Sequence, residues 1–191
     1  MKTGVYGGTF DPIHNGHLIT AIAVKEIRNL DKIIFIPSYI APHKIGVQRS
    51  SSVHRIEMIK SAIEGIPFMD YSYYEIDKKG VSYTIDTLKH LKEEYDEIEL
   101  IIGYDNLLEF KTWKEPDEIF KLVKVVCLNR NVPAGVVEKD RFYNAAEIID
   151  TPTIDISATA IRNRVRENKP INFLVPEAVM EYIYRSNLYK D

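Results

Sequence analysis

Apolar runs of strand length alternate with segments of helical periodicity along most of this chain, and that alternation limits the fold more than any other feature. Strands are expected at 2–6, 32–36, 99–103 and 123–128, with a last short one near 153–156. Helices are expected over 18–27, 53–63, from Thr84 onward, over 116–122 and 158–168, and from Pro176 to Tyr184. Ile56, Ile59 and Ile63 share one face of the second helix, and Ile85, Leu88 and Leu91 one face of the third. Ser51 or Ser52 suits the second helix's N-cap, and Pro176 the first position of the last helix. The aromatic-rich stretch 68–76 reads as extended, 37–52 as a loop and 129–146 as irregular. Strands separated by helices of this length imply βαβ units, hence an α/β fold with a parallel sheet covered on both faces. The expectation is a doubly wound sheet of five to six mainly parallel strands. No repeat or low-complexity tract divides the 191 residues, which read as a single domain, 1–191, with a helical C-terminal part from about 157.

Composition excludes several classes. The chain is 45% hydrophobic and 28% charged, ordinary for a globular protein and unlike a disordered one. A net charge of −3 leaves no general footprint for nucleic acid, so no nucleic-acid partner is expected. No apolar run approaches the roughly 20 residues of a membrane span. Glycines and an aspartate interrupt residues 4–11, where a signal peptide would need its apolar core. A cytoplasmic location is expected. Cys127 is the sole cysteine, in an apolar run, and reads as a buried structural thiol.

The first expected strand runs into Val5-Tyr-Gly-Gly-Thr-Phe-Asp-Pro-Ile-His-Asn-Gly-His17. Two glycines, a carboxylate and a His-x-x-His pair thus fall where a first strand hands over to a first helix. Such junctions bind phosphates, because helix N-terminal N–H groups point outward with partial positive charge. The Gly7-Gly8 pair lacks the third glycine of a dinucleotide fingerprint and the Gly-Lys-Ser/Thr of a P-loop, so a generic turn competes for it. His14 and His17, three apart at a helix start, share a face and can address one anion. A capping or surface role, a metal pair and satisfied core histidines remain alternatives at this point.

The stretch from Gly7 to His17 closely resembles the N-terminal signature of the bacterial nicotinate mononucleotide adenylyltransferases. These belong to the nucleotidyltransferase superfamily marked by Thr/His-x-Gly-His, here His14-Asn-Gly-His17. Further segments match in order along the chain. Ala41-Pro-His-Lys44 resembles the family's Pro-His-Lys/Arg loop, Val81-Ser-Tyr-Thr-Ile-Asp-Thr87 its Ser-Tyr-Thr-x-Asp-Thr segment, and Ile101-Ile-Gly-Tyr-Asp105 with Trp113 its Gly-x-Asp…Trp arrangement. Ile156-Ser-Ala-Thr-Ala-Ile-Arg162 resembles the superfamily's Ile-Ser-Ser-Thr-x-Ile-Arg motif. The chain departs from the pattern at Tyr104, usually a small residue, at Ala158, usually a second serine, and at Asn131, usually a proline after Arg130.

The resemblance implies a Rossmann-like fold and adenylyl transfer from ATP to nicotinate mononucleotide, giving nicotinate adenine dinucleotide and pyrophosphate in NAD biosynthesis. It implies catalytic roles for His17 and His14, and ATP contacts from Gly7, Gly8, Thr9, Phe10, His14, His17, Gly103, Asp105, Ser157, Thr159 and Arg162. It places the acceptor against Lys44, Tyr83, Thr84, Trp113 and Arg130. Mg²⁺ would ride on the ATP phosphates, with no protein metal site. A plain Ser/Thr cap with Asp86 in the first turn competes for the segment around Tyr83 and Thr84. Acceptor preference between nicotinate and its amide is left open, as is a homo-oligomer. Competing readings are a nucleotide-binding regulator without catalysis, an NAD-dependent oxidoreductase, and the same chemistry on nicotinamide mononucleotide or phosphopantetheine.

Overall fold

The structure, a computed structural model, describes residues 1–42, 49–129 and 139–190. Six strands form one sheet: β1 (Lys2–Gly8), β2 (Lys32–Pro37), β3 (Met69–Tyr71), β4 (Glu97–Gly103), β5 (Lys124–Asn129) and β6 (Glu147–Asp150). Their order is β3-β2-β1-β4-β5-β6 and every neighbouring pair is parallel. This is the Rossmann-like doubly wound order, in which the chain reverses its direction of travel beside β1, and ligands bind outside the carboxyl ends of the strands at that point.

The helices are α1 (Asn15–Arg28), α2 (Ser52–Ile63), α3 (Tyr74–Lys78), α4 (Thr84–Leu91), α5 (Tyr104–Leu108), α6 (Pro116–Leu122), α7 (Arg141–Ala145), α8 (Ala158–Arg166) and α9 (Glu177–Arg185). Ser51 caps α2 by accepting from the His54 N–H. Asn29, at φ 51°, closes α1 and turns the chain into β2. Strand residues alternate between two cores, as the pleat requires. Tyr6, Phe35, Ile101 and Val126 face α1, α2, α8 and α9, while Val5, Ile34, Leu100 and Cys127 face α4, α5, α6 and α7. Among the described helices none is long and apolar enough to cross a membrane.

Three expectations need correction. The last strand is at 147–150, and 153–156 is irregular. Ile149 is the buried residue of that strand, and its short polar surroundings hide the pattern. The stretch 68–76 holds a three-residue strand and then α3, because the edge strand needs to pair only with β2. Residues 141–145 form α7, capped by Asp140, inside the stretch expected to be irregular.

The amino ends of the strands are tied by charge. Glu99 is fully buried, and its carboxylate accepts from Arg28 Nε at 2.8 Å and Nη2 at 3.0 Å while Lys2 Nζ stands 3.0 Å away. Arg28 also pairs with Glu147, so one guanidinium joins α1 to β4 and β6. Burial pushes the Glu99 carboxyl up, but the bonds from Arg28 and Lys2 outweigh it and hold the group below its ordinary 4.5. Its stabilising effect is therefore complete above that ordinary value and is lost as pH falls through the folded-state value. Glu99→Ala is expected to cost about 3–5 kcal/mol in denaturant unfolding, the loss from leaving one side of a buried pair. The stability gap between wild type and Glu99→Gln should shrink on acidification below pH 4.5; a gap unchanged by acid would contradict this assignment.

Candidate active site

The carboxyl end of β1 runs into a loop that folds back on the sheet. Phe10, at φ 50°, drops its ring into the core, where it is 2% exposed and meets Tyr6 and Phe35 edge-on at 5.9 and 5.6 Å between centroids. The ring lies under Gly8, where an added Cβ would come within 2.8 Å of it. Gly7 has no such neighbour within 4 Å. The two glycines thus serve different ends: Gly8 admits Phe10, and Gly7 keeps a surface open. The Phe10 side chain is a core plug, so any contact to a nucleotide at this position falls to its backbone.

Polar groups then stretch the loop outward. Asp11, 3% exposed, accepts from the Ser50 N–H at 3.1 Å and from the Tyr189 hydroxyl at 2.7 Å. Arg55 is 1% exposed and donates to the Thr9 carbonyl at 2.9 Å and to the Ser50 carbonyl at 3.3 Å. Burial lowers the Arg55 pKa, with Asp11 acting the other way. Burial, then Asp11, pushes the Tyr189 phenol well up, so it stays a donor. Arg162 Nη1 donates to the Asp11 carbonyl at 2.7 Å and Nη2 to Thr159 Oγ1 at 3.1 Å, which brings the last motif onto the first. Ser157 caps α8, accepting from the Ala160 N–H at 3.1 Å.

Two concavities border β1, one at Gly7 and Gly8 and the other at Tyr6. One is a cleft of about 320 Å³ whose wall includes Gly7, Gly8, Thr9, Tyr83, Thr84 and Trp113. That volume lies within the range of small-molecule sites. Trp113 is half-buried, stacked on Phe110 at 4.7 Å and 23°, and Lys114 Nζ sits 4.8 Å from the Tyr83 ring. Tyr83 is the N-cap of α4 and makes no side-chain cap, so the plain Ser/Thr cap is not what this helix uses. The first N–H groups of α4 have no partners within the helix.

The other concavity is a smaller hollow lined by Tyr6, His14, Gly16, His17 and the segment after β6. His14 is 5% exposed, His17 is half-buried, and their rings stack at 3.6 Å and 21°. His17 Nδ1 accepts from the His14 N–H at 3.3 Å, which places the proton of a neutral His17 on Nε2. Asp105 lies exposed at the start of α5, with Gly103 as that helix's N-cap, beside the cleft-lining Ile102 and Asn106. Tyr104 turns away from the cleft into the core, edge-on to Tyr143 at 6.1 Å. That departure from the pattern therefore leaves the cleft surface untouched. Burial, then Asp105, pushes the Cys127 thiol up to about 12, in keeping with an inert structural cysteine. Lys44 and Arg130 lie outside the described residues.

Among the described residues, no three His, Cys, Asp or Glu side chains come together to hold a metal ion. Asp11, the carboxylate of the first motif, already has both oxygens engaged. The site as expected from sequence omits Arg55, Asp11, Tyr189 and Glu75. Arg55 shares an inward helix face with Met58, Ile59 and Ala62, and a charge in such a stripe is a readable signal. Tyr189 has no local pattern to mark it.

The comparisons bear on these features together. Residues 5–164 match the cytidylyltransferase-like family. A protein of Caldicellulosiruptor saccharolyticus described as a probable nicotinate-nucleotide adenylyltransferase is 40% identical, covering 100% of both chains. One of Clostridium perfringens with the same description is 41% identical over 99% of this chain and 98% of its own. The nicotinic acid mononucleotide adenylyltransferase of Plasmodium falciparum, solved with NaAD, shares the fold at TM-score 0.75 and 19% identity, over 99% of this chain and 98% of its own.

Gly8→Ala is expected to cost about 1–3 kcal/mol through crowding against Phe10, lowering both Tm and activity. Gly8→Ala combined with Phe10→Leu should recover part of the loss, a non-additivity readable in a double-mutant cycle. Strict additivity would show that the two residues do not press on each other.

Proposed function

The chain belongs to the nicotinate-nucleotide adenylyltransferases, within the cytidylyltransferase-like family, and from that premise we propose how its residues move the adenylyl group of ATP onto nicotinate mononucleotide. The reaction yields nicotinate adenine dinucleotide and pyrophosphate and belongs to NAD biosynthesis. The observation that supports the assignment of half-sites is the pair of concavities bordering β1 and the loop after it, one aromatic-walled at Gly7, Gly8 and Thr9 and the other carrying two imidazoles beside Tyr6.

The acceptor's pyridine lies in the larger cleft, on the face of Trp113. A flat ring over the indole gains offset-stacking contact, and the N-terminus of α4 at Tyr83 and Thr84 favours the negative carboxylate. ATP runs over the other side of β1. Its phosphates meet the His14–His17 pair, the amino end of α1 and the start of α8, with Ser157, Thr159 and Arg162 at the tail. Lys44 and Arg130 complete the proposal as cationic partners of phosphate, and Gly103 and Asp105 as contacts to the nucleotide sugar.

The acceptor phosphate is itself an anionic nucleophile near neutral pH, so no protein group has to remove a proton. One of its oxygens bonds to the α-phosphorus in line with the leaving group, and the α–β bridging bond breaks, its electron pair departing with pyrophosphate. The chain's work is alignment and stabilisation of charge on the α-phosphoryl oxygens. His17 Nε2–H is the donor aimed at those oxygens, oriented by the bond that its Nδ1 accepts from the backbone. Mg²⁺ belongs to the proposal as an ion held by the phosphates and water, where it would neutralise charge on the triphosphate. With Asp11 occupied by Ser50 and Tyr189, the first motif suits an ion carried in this way rather than one held by the protein. A cytoplasmic location belongs to the same proposal, since both substrates are free nucleotides.

The test is pyrophosphate release with ATP and Mg²⁺, with nicotinate mononucleotide, nicotinamide mononucleotide and phosphopantetheine offered separately. Nicotinate mononucleotide should be preferred, and activity with phosphopantetheine alone would overturn the assignment. His17→Ala should lower kcat about 10²–10³-fold, the effect of losing one preorganised donor, with Tm largely kept. Wild-type turnover in that variant would remove His17 from the mechanism.

A further inference from the structure

Glu75 is a carboxylate on the wall of the acceptor cleft that the mechanism leaves without a task. It is 9% exposed and sits on α3, a short helix across from the amino end of α4. Thr87 Oγ1, itself on a 3% exposed residue, donates to Glu75 Oε1 at 2.7 Å. Burial raises the Glu75 pKa, while hydrogen bonds from the Ser82 and Thr87 hydroxyls pull it back. Those two hydroxyls stand on either side of Tyr83 and Thr84. Ser82 is also the anchor of the opposite rim, because its Oγ accepts from the Tyr39 N–H at 2.9 Å and its N–H donates to the Ile40 carbonyl at 2.8 Å.

We infer that Glu75 is a positioning residue for the acceptor half-site: by holding the Thr87 hydroxyl, on the same cleft wall as Ser82, it fixes the Tyr83–Thr84 backbone opposite Trp113. An α4 of eight residues has little intrinsic stability, so its first turn depends on outside contacts. A buried acceptor for the Thr87 hydroxyl orders that turn, and an apolar residue there would leave that hydroxyl with just the Tyr83 carbonyl at 3.5 Å. The lever acts on the acceptor and leaves ATP alone, because Glu75 lines the larger cleft and the histidine pair lines the other hollow. This rests on the assignment of the larger cleft to nicotinate mononucleotide.

The experiment compares Glu75→Ala, Glu75→Gln and Thr87→Val with wild type, measuring KM for each substrate, kcat and Tm. Trp113 is the sole tryptophan, so quenching of its fluorescence by nicotinate mononucleotide reads binding without turnover. Glu75→Ala should raise KM and Kd for nicotinate mononucleotide about tenfold, with KM for ATP and kcat nearly unchanged. Glu75→Gln, which keeps one acceptor oxygen, should recover part of the loss. Glu75→Ala and Thr87→Val together should be no worse than Glu75→Ala alone. If Glu75→Ala fails to fold, Glu75→Gln still decides, since it should raise KM for the acceptor and not for ATP. An unmoved acceptor KM, or equal rises for both substrates, overturns the inference while the wild-type reaction stands. A wild type inert toward nicotinate mononucleotide overturns the functional assignment and this inference with it.

Discussion

The active end of the molecule depends on one steric fact: the Phe10 ring lies against the backbone of Gly8. That contact turns the chain leaving β1 back upon the sheet and places Thr9 and Asp11 where buried donors reach them. An aromatic ring packed on Tyr6, Phe35 and His17 is a firm anchor, because it is enclosed by residues of the core and of α1. The loop is thus rigid where it is apolar and is trimmed by hydrogen bonds where it is polar. Both concavities inherit this geometry, since Gly7 and Thr9 line one and α1, beginning just beyond, lines the other.

The sheet separates two kinds of electrostatics. At its amino end charges are matched and buried, with Glu99 held by Arg28 and Lys2, and they serve to lock strands to α1. At its carboxyl end the polarity comes from helix starts, imidazoles and guanidinium groups, arranged around space for a polyanion. A net charge of −3 does not preclude a local anion site, because what matters is the placement of a few positive groups such as Arg55 and Arg162 beside the loop after β1.

The fold was readable because parallel strands buried on both faces produce continuous apolar runs, as at 32–36 and 123–128. The edges were not. β6 has one buried residue, and β3 has three residues in all, so neither carries a period to detect. The helix starts at His14, Tyr83 and Ser157 were legible because local sequence builds them, whereas their proposed roles came from the resemblance of whole segments. The burial of the Phe10 ring was not legible, because nothing local says whether an aromatic ring in a glycine loop points outward or into the core. Asp11, Glu75 and Tyr189 act through partners 12 to 178 positions away, and such pairings have no local signature.

The bond between Tyr189 and Asp11 joins positions 178 residues apart, and it closes on the loop between β1 and α1. Contacts of such separation bring high loop-closure entropy and form late unless other structure has already gathered the ends. The pairings of the sheet are of shorter range, whereas this loop takes a partner from beyond α9. The last residues of the chain thus belong to the same packing unit as its first loop, so that loosening the C-terminal end would loosen the backbone after β1.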